Sequence, residues 1–197
     1  SALETKNTVN LSFLQEKDFI IEVPENITGK ITANVINYED RDSLFTEYTE
    51  IELATKNGRL DLENFQDINT VAVFNRYPDN NNKTLGLIKN FGIKEGTLAS
   101  TVSHDCHNLT VVSSNPEDAV LAVNTLIDSG GGLICVQNGQ VLSHFPLPVG
   151  GLISTLPAAK ISPKLEQFEQ NLREIGMEAE QPLLKIVTLT LSQVCIT

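Results

Sequence analysis

The residues of this chain best suited to chemistry form one uninterrupted run of six polar or ionisable side chains. They are Ser103, His104, Asp105, Cys106, His107 and Asn108. The run contains two of the chain's three histidines and one of its three cysteines, which a simple surface turn rarely needs. In a flat strand, Ser103, Asp105 and His107 would share one face. The functional interpretation is a ligand pocket in which a histidine donates or accepts a proton and Asp105 orients it.

Three other interpretations of this run compete with a pocket. The side chains could satisfy backbone groups at a corner between two strands, and the spacing alone favours this interpretation. They could hold zinc, but His104 and His107 with one cysteine lack a second pair of ligands, so no metal site is predicted. Cys106 could act as a thiolate nucleophile beside the two histidines if its pKa were depressed.

Strands are expected to position the run, because the residues on both of its sides, within 96–114, are rich in Val, Thr and Leu. The continuous apolar stretch 70–74 predicts a buried strand, and 85–88 predicts its hairpin partner. Further strands are predicted at 18–23, 31–38, 47–54, 133–136, 140–145 and 183–191.

Two helices are predicted, at 116–128 and 163–175. Asn115 is suited to cap the first helix, and Pro116 to occupy its first turn. Hairpin-type turns are predicted at 56–58 and 137–139, which both contain Asn-Gly. Together these elements predict an α+β fold with a mixed, mainly antiparallel sheet core and two or more helices packed outside.

Length and charge limit the class of protein. The 197 residues allow one domain, with 1–69 as lead-in strands and 70–197 as the core region. A formal net charge of -11 argues against binding to nucleic acid or to anionic membrane surfaces. No apolar run approaches the length of a membrane-spanning helix. The three cysteines follow no disulfide framework, which favours a reducing, cytoplasmic setting.

Residues 96–109 resemble the pattern G-x-I-A-S-T-V-A-H-D-S-H-N-I in the C-terminal region of the adenine deaminases, which are metal-dependent members of the amidohydrolase superfamily. Residues 70–77, 86–92 and 130–154 are similar, in order and spacing, to three further segments of that family. The chain departs from the family pattern at four positions within these segments, namely Asn75, Tyr77, Asn90 and Cys106.

The resemblance implies that the full-length protein hydrolyses adenine to hypoxanthine and ammonia with manganese or iron. In that superfamily the metals lie on a TIM barrel, which needs about 200–250 residues by itself. This chain is therefore expected to lack the catalytic metal barrel, to hold no cofactor and to be inactive alone. Its expected partners are the N-terminal amidohydrolase barrel of the same protein, adenine in the full-length enzyme, and a second copy in a homo-oligomer.

The resemblance also implies a place for the polar run, at the mouth of the barrel, where it would shape or close the purine pocket. The pocket candidates are Ser103, His104, Asp105, His107 and Asn108, and no catalytic residue is assigned. The alternative function is a non-catalytic oligomerisation or scaffold domain.

Overall fold

A computed structural model of the chain describes residues 7–77, 82–104 and 106–190. These residues contain nine strands in one sheet. The strands are β1 (Lys30–Tyr38), β2 (Thr46–Lys56), β3 (Arg59–Asp61), β4 (Ile68–Phe74), β5 (Lys83–Lys89), β6 (Thr97–Ser100), β7 (Leu109–Ser113), β8 (Gly132–Gln137) and β9 (Gln140–Pro146). Their order across the sheet is β3-β2-β1-β5-β4-β7-β6-β8-β9.

The pairing within this sheet is antiparallel at every junction except one. β1 and β5 run parallel and share only two residue pairs, Ile36 with Ile88 and Asn37 with Lys89. The predicted hairpin of 70–74 and 85–88 is confirmed as β4 and β5, with Val71 opposite Gly86. The prediction of an α+β fold with a mixed, mainly antiparallel sheet is therefore confirmed.

Three α-helices pack on the two faces of the sheet. They are α1 (Pro116–Ser129), α2 (Ala158–Glu174) and α3 (Pro182–Thr188). Because neighbouring residues of a strand point to opposite faces, Leu98 joins the core under α2 and α3 while Ala99 joins the core under α1. None of the helices among the described residues is long and apolar enough to cross a membrane.

Local chemistry explains why α1 begins and ends where predicted. The Asn115 side chain accepts a hydrogen bond of 2.8 Å from the backbone N–H of Asp118, and Pro116 occupies the first turn. Gly130 closes the helix in the left-handed conformation, with φ of 80°. The predicted hairpin turns are also confirmed, since Asn57 and Asn138 both adopt positive φ ahead of a glycine.

Two predicted strands are wrong. The 18–23 segment forms the end of a 3-10 turn, Glu16–Phe19, followed by a single β-bridge from Glu22 to Arg59. The 183–191 segment contains α3 instead, within its described part 183–190. Its Leu183, Ile186 and Val187 all pack on the same core, at the spacing of one face of a helix. Packing on that face overrides the β preference of the Ile and Val residues.

The start of α2 also differs from the prediction. The helix begins at Ala158, five residues before the predicted start, and Pro163 lies inside it. The two alanines at 158 and 159 are strong helix formers, and they extend the helix ahead of the proline. Phe168, Leu172 and Ile175, which share one face at helical spacing, are buried against the sheet.

Candidate functional site

The polar run at 103–108 lies in the connection between β6 and β7. Its described residues form a tight turn rather than a flat strand. The His107 N–H donates to the Ser103 carbonyl at 3.0 Å, and the Cys106 N–H donates to the His104 carbonyl at 2.9 Å. His107 has a φ of 49°, a left-handed conformation that reverses the chain. The strand-like alternation of faces considered from the sequence therefore does not apply here.

Ser103 is the most deeply placed residue of the run. Its side chain is fully buried, and its hydroxyl is 3.2 Å from the hydroxyl of Thr110 and in contact with that of Thr190. The Cys106 thiol donates to the same Ser103 oxygen at 3.6 Å. These contacts assign Ser103 to the packing of the turn against β7 and against Thr190, two residues after α3.

The remaining described residues of the run lie nearer the surface. His104 is exposed, and its backbone N–H donates to the Val187 carbonyl at 3.0 Å, which fixes the turn to α3. His107 and Asn108 are partly buried. The Nδ1 atom of His107 is nevertheless shielded from solvent and has no hydrogen-bond partner among the described residues. Asp105 lies outside the described residues.

A second unsatisfied polar group lies at the same end of the sheet. Arg76 follows β4 by two residues and is 2% exposed, and its Nε and Nη1 atoms have no hydrogen-bond partner in the part of the chain that the structure describes. Phe74 of β4 pairs with Leu109 of β7. Because the strands are antiparallel, Arg76 and His107 each lie two residues beyond that pair, at the same end of β4 and β7.

The backbone packs closely around the Arg76 guanidinium. A Cβ atom built on Gly151 would lie 2.2 Å from Arg76 Nη1 and 3.1 Å from Thr101 Oγ1. The Thr101 hydroxyl is already satisfied, since it donates to the Gly151 carbonyl at 2.7 Å and accepts from the Gly132 N–H at 2.8 Å. On its other side, the guanidinium carbon lies 5.6 Å from the centre of the Tyr77 ring. The loop that contains residue 151 can approach the guanidinium this closely only because that residue is a glycine.

The third histidine of the chain, His144, is separate from this site. It lies in β9, and its Nε2 atom is 3.2 Å from the Ser129 hydroxyl at the end of α1. Burial, and to a lesser extent the charge of Lys164, lowers the pKa of His144 below its usual value. His144 is half-buried, and its contact with Ser129 gives it a structural role.

The described part of the chain offers no site for a metal ion. Across 7–77, 82–104 and 106–190, no three His, Cys, Asp or Glu side chains gather closely enough to hold one. The donor set at this end of the sheet consists of an arginine and histidines, which suits an anion or a polar ligand rather than a cation.

A groove of about 620 Å³ opens on the α1 face near the opposite end of β4 and β7. Its lining includes Thr70 of β4, Val111 of β7 and Asn115 at the start of α1. It does not include the polar run, so the groove and the Arg76 site are separate features of the sheet.

Arg76 is the residue that reasoning from the sequence did not place in the site. A single arginine after a strand has no periodicity or spacing that marks it, and its burial becomes visible only once the fold brings Gly151 against it. Of the predicted pocket residues, the structure brings His107 to the same end of the sheet as Arg76 and places Ser103 inside.

The chain is similar to named proteins over most of its length. The family model described as "Adenine deaminase C-terminal domain" matches residues 43–195. An "Adenine deaminase" of Clostridium botulinum (strain Langeland) is 37% identical over 163 residues, covering 83% of this chain and 27% of the relative. "Adenine deaminase 2" of Shouchella clausii is 37% identical over 184 residues, covering 93% and 32%. An "Adenine deaminase" of Edwardsiella ictaluri is 43% identical over 125 residues, covering 64% and 21%.

These matches confirm the resemblance found in the motifs. Each of them covers only part of the relative's own length. The chain spans less than a third of the length of each of these three curated relatives. The matched region holds both the polar run and Arg76. The chain belongs to the adenine deaminase C-terminal domain family.

Proposed function

We propose that this chain is the C-terminal portion of an adenine deaminase-like hydrolase and that it helps to form or close the active site of the longer protein. The reaction of the whole protein would be hydrolysis of adenine to hypoxanthine and ammonia, a step of purine metabolism. The protein would work in the cytoplasm, in keeping with the two free thiols of Cys106 and Cys135.

Two observations together support this proposal. The chain belongs to the family, and it contains buried polar groups that are unsatisfied among the described residues. Family membership links the chain to relatives named adenine deaminase. The end of β4 and β7 presents buried polar atoms on Arg76 and His107 that nothing among the described residues satisfies. Unsatisfied buried donors are costly in a finished protein, so they point to a ligand or a neighbouring domain as their partner.

The metal of the reaction is assigned to the rest of the longer protein. The described residues do not fit a divalent metal ion, because no group of three suitable ligands forms among them. Manganese or iron would be held by the N-terminal amidohydrolase barrel, where it would activate the attacking water. The part proposed for this chain is to bind, orient and shield the purine with side chains such as His104, His107 and Asn108.

The test is a comparison of histidine variants in the full-length enzyme. His107→Ala should lower kcat/KM for adenine by roughly tenfold or more, since it removes a polar contact at the pocket. His144→Ala is the matched control, because it removes the same type of side chain from a structural position, and it should change kcat/KM by less than about twofold. Equal effects of the two substitutions on kcat/KM would refute the proposal.

The alternative is that the domain only joins copies of the protein. The buried hydrogen bonds of Ser103 favour it, since they show that part of the polar run serves packing. Under this alternative the His107→Ala enzyme keeps its kcat/KM. The activity then follows the oligomeric mass measured by light scattering, and falls only when substitutions separate the copies.

A further inference from the structure

The most unusual group among the described residues is the guanidinium of Arg76. It is 98% buried, counting from its exposed fraction of 2%, and both Nε and Nη1 lack an acceptor. None of the seven ion pairs between described residues includes it. An arginine is charged at any physiological pH, so an isolated buried guanidinium strongly destabilises the fold unless something else compensates it.

The contacts around Arg76 compensate it only in part. The Tyr77 ring lies within range of a cation-π contact, at 5.6 Å. The Gly151 carbonyl accepts from the Thr101 hydroxyl and receives no hydrogen bond from Arg76 Nε or Nη1. A ring face supplies no hydrogen-bond acceptor for the two N–H-bearing atoms. Among the described residues the site therefore lacks an acceptor, and an acceptor with negative charge would match it best.

We propose that Arg76 is the receptor for a carboxylate or similar small oxyanion that enters this end of the sheet, with His107 Nδ1–H as a second donor. The inference goes beyond the proposed deaminase function and does not depend on it. It rests on the burial of Arg76, on its two unsatisfied atoms and on a third unsatisfied atom, Nδ1 of His107, at the same end of β4 and β7.

The close approach of Gly151 helps to explain how such a site stays formed without its ligand. Its φ of 69° and the 2.2 Å distance from a built Cβ to Arg76 Nη1 leave room for the guanidinium only because residue 151 has no side chain. Thr101 ties that loop to β8 through Gly151 and Gly132. The loop thus holds Arg76 in one place, so little ordering remains for the ligand to bring about.

The oxyanion could come from two sources with the same chemistry. One is an acidic side chain elsewhere in the longer protein, and the other is a free carboxylate or phosphate. The net charge of -11 disfavours a free anion, since the whole chain repels it. A tethered carboxylate has a high effective concentration and overcomes that repulsion. Both sources predict that a simple carboxylate binds the 197-residue chain.

The experiment measures thermal unfolding of the 197-residue chain in sodium acetate, inorganic phosphate and sodium chloride at equal ionic strength. Acetate or phosphate should raise the wild-type Tm by at least about 2 °C over chloride. Arg76→Met should abolish this response and, in chloride, keep or raise the Tm because an unpaired buried charge is removed. Arg173→Met, at an exposed position of α2, is the control and should keep the full anion response.

A second readout guards against a variant that does not fold. The side-chain Nε–H resonance of Arg76 in the wild-type chain should shift during a titration with acetate or phosphate, and the shift should saturate. In the longer protein the response to free acetate should disappear if an acidic side chain fills the site, and persist if a free anion does. The inference is overturned if the Arg76 resonance does not move, or if wild type and Arg76→Met respond equally.

Discussion

The ammonium group of Lys185 lies 4.2 Å from the centre of the Tyr38 ring. The lysine is on α3 and is 1% exposed, and it donates hydrogen bonds to the carbonyls of Arg41, at 2.8 Å, and Asn90, at 2.9 Å. Burial lowers the pKa of Lys185 to about 8, although the charges of Asp42 and Asp40 act in the opposite direction. One buried cation thus joins α3 to the segments that follow β1 and β5.

This contact predicts an unusual pH dependence of stability. At pH values below about 8, Lys185 is protonated in the folded and the unfolded chain, and the unfavourable burial of its charge is fully present. As the pH rises from about 8 towards 10.5, the folded chain loses this proton while the unfolded chain still holds it. The free energy of unfolding of wild type should therefore rise with pH relative to that of Lys185→Met. Urea denaturation of both proteins across this range measures the difference, and a constant difference would contradict the assignment.

A second prediction concerns the start of α1. The buried carboxylate of Asp118 accepts hydrogen bonds from the backbone N–H groups of Asn138, at 3.1 Å, and Gly139, at 2.7 Å, and so ties the helix to the β8–β9 turn. Asp118→Ala leaves these donors unpaired and should lower the free energy of unfolding by about 2–4 kcal/mol. Glu117→Ala, on the exposed side of the same turn, should change it by about 0.5 kcal/mol at most. Chemical denaturation distinguishes the two, and equal effects would show that the carboxylate of Asp118 has no special part.

The third prediction compares two glycines of left-handed conformation. A Cβ on Gly132 would lie 2.3 Å from the Phe145 carbonyl, whereas one on Gly139 meets nothing within 4 Å. Gly132→Ala combines backbone strain with overlap in the core and should destabilise the chain by about 3 kcal/mol or more. Gly139→Ala carries only the backbone strain, about 1–2 kcal/mol. Thermal unfolding of the two variants tests the ranking, and the reverse order would show that β8 and β9 can move apart freely.

The fourth prediction is that the purified 197-residue chain does not deaminate adenine. Deamination requires an activated water, and among the described residues no set of three ligands could hold a metal ion to activate it. Ammonia release from adenine, measured with and without added manganese, should stay at the level of a blank. Turnover that requires the metal would show that this chain is an enzyme by itself.

The fifth prediction separates the stability of the polar turn from its function. His107→Ala and Asp105→Ala should leave the Tm of the chain within about 2 °C of wild type. For His107, the reason is that its Nδ1 atom has no partner to lose. Ser103→Ala is the contrast, since Ser103 is buried and hydrogen-bonded, and it should lower the Tm by more. A large loss of Tm in the His107 variant would make the turn a structural element.

Much of the fold could be predicted because local signals agreed with the final packing. The Asn-Pro start of α1, the two Asn-Gly turns and the apolar run of β4 each have a local physical cause that the surrounding structure does not oppose. The prediction failed at 183–191, where β-branched residues favour a strand but the helical spacing of Leu183, Ile186 and Val187 suits the core better. The order of the strands, with β1 beside β5, has no local cause and could not be read from the sequence.

The candidate site was predictable only in part. The run of polar residues marked the turn between β6 and β7, but not that Ser103 would turn inwards while His104 faces solvent. Arg76 became part of the site because Gly151, 75 positions away, packs closely against its guanidinium, and Thr101, 25 positions away, holds Gly151 by a hydrogen bond. Burial of a charge is a property of the folded chain, so neither residue type nor periodicity could have revealed it.

The parallel junction between β1 and β5 has fewer paired residues than any other junction of the described sheet. Only two residue pairs join the β1–β3 ribbon to the other six strands, whereas β1 and β2 share nine pairs with each other. Opening this junction exposes the contacts of Val35, Leu53 and Leu87 and removes Ile36 and Tyr38 from the core under α2 and α3, while the core under α1 stays intact. Amide protons of the ribbon should therefore exchange with solvent through a sub-global opening, at a free energy below that of global unfolding.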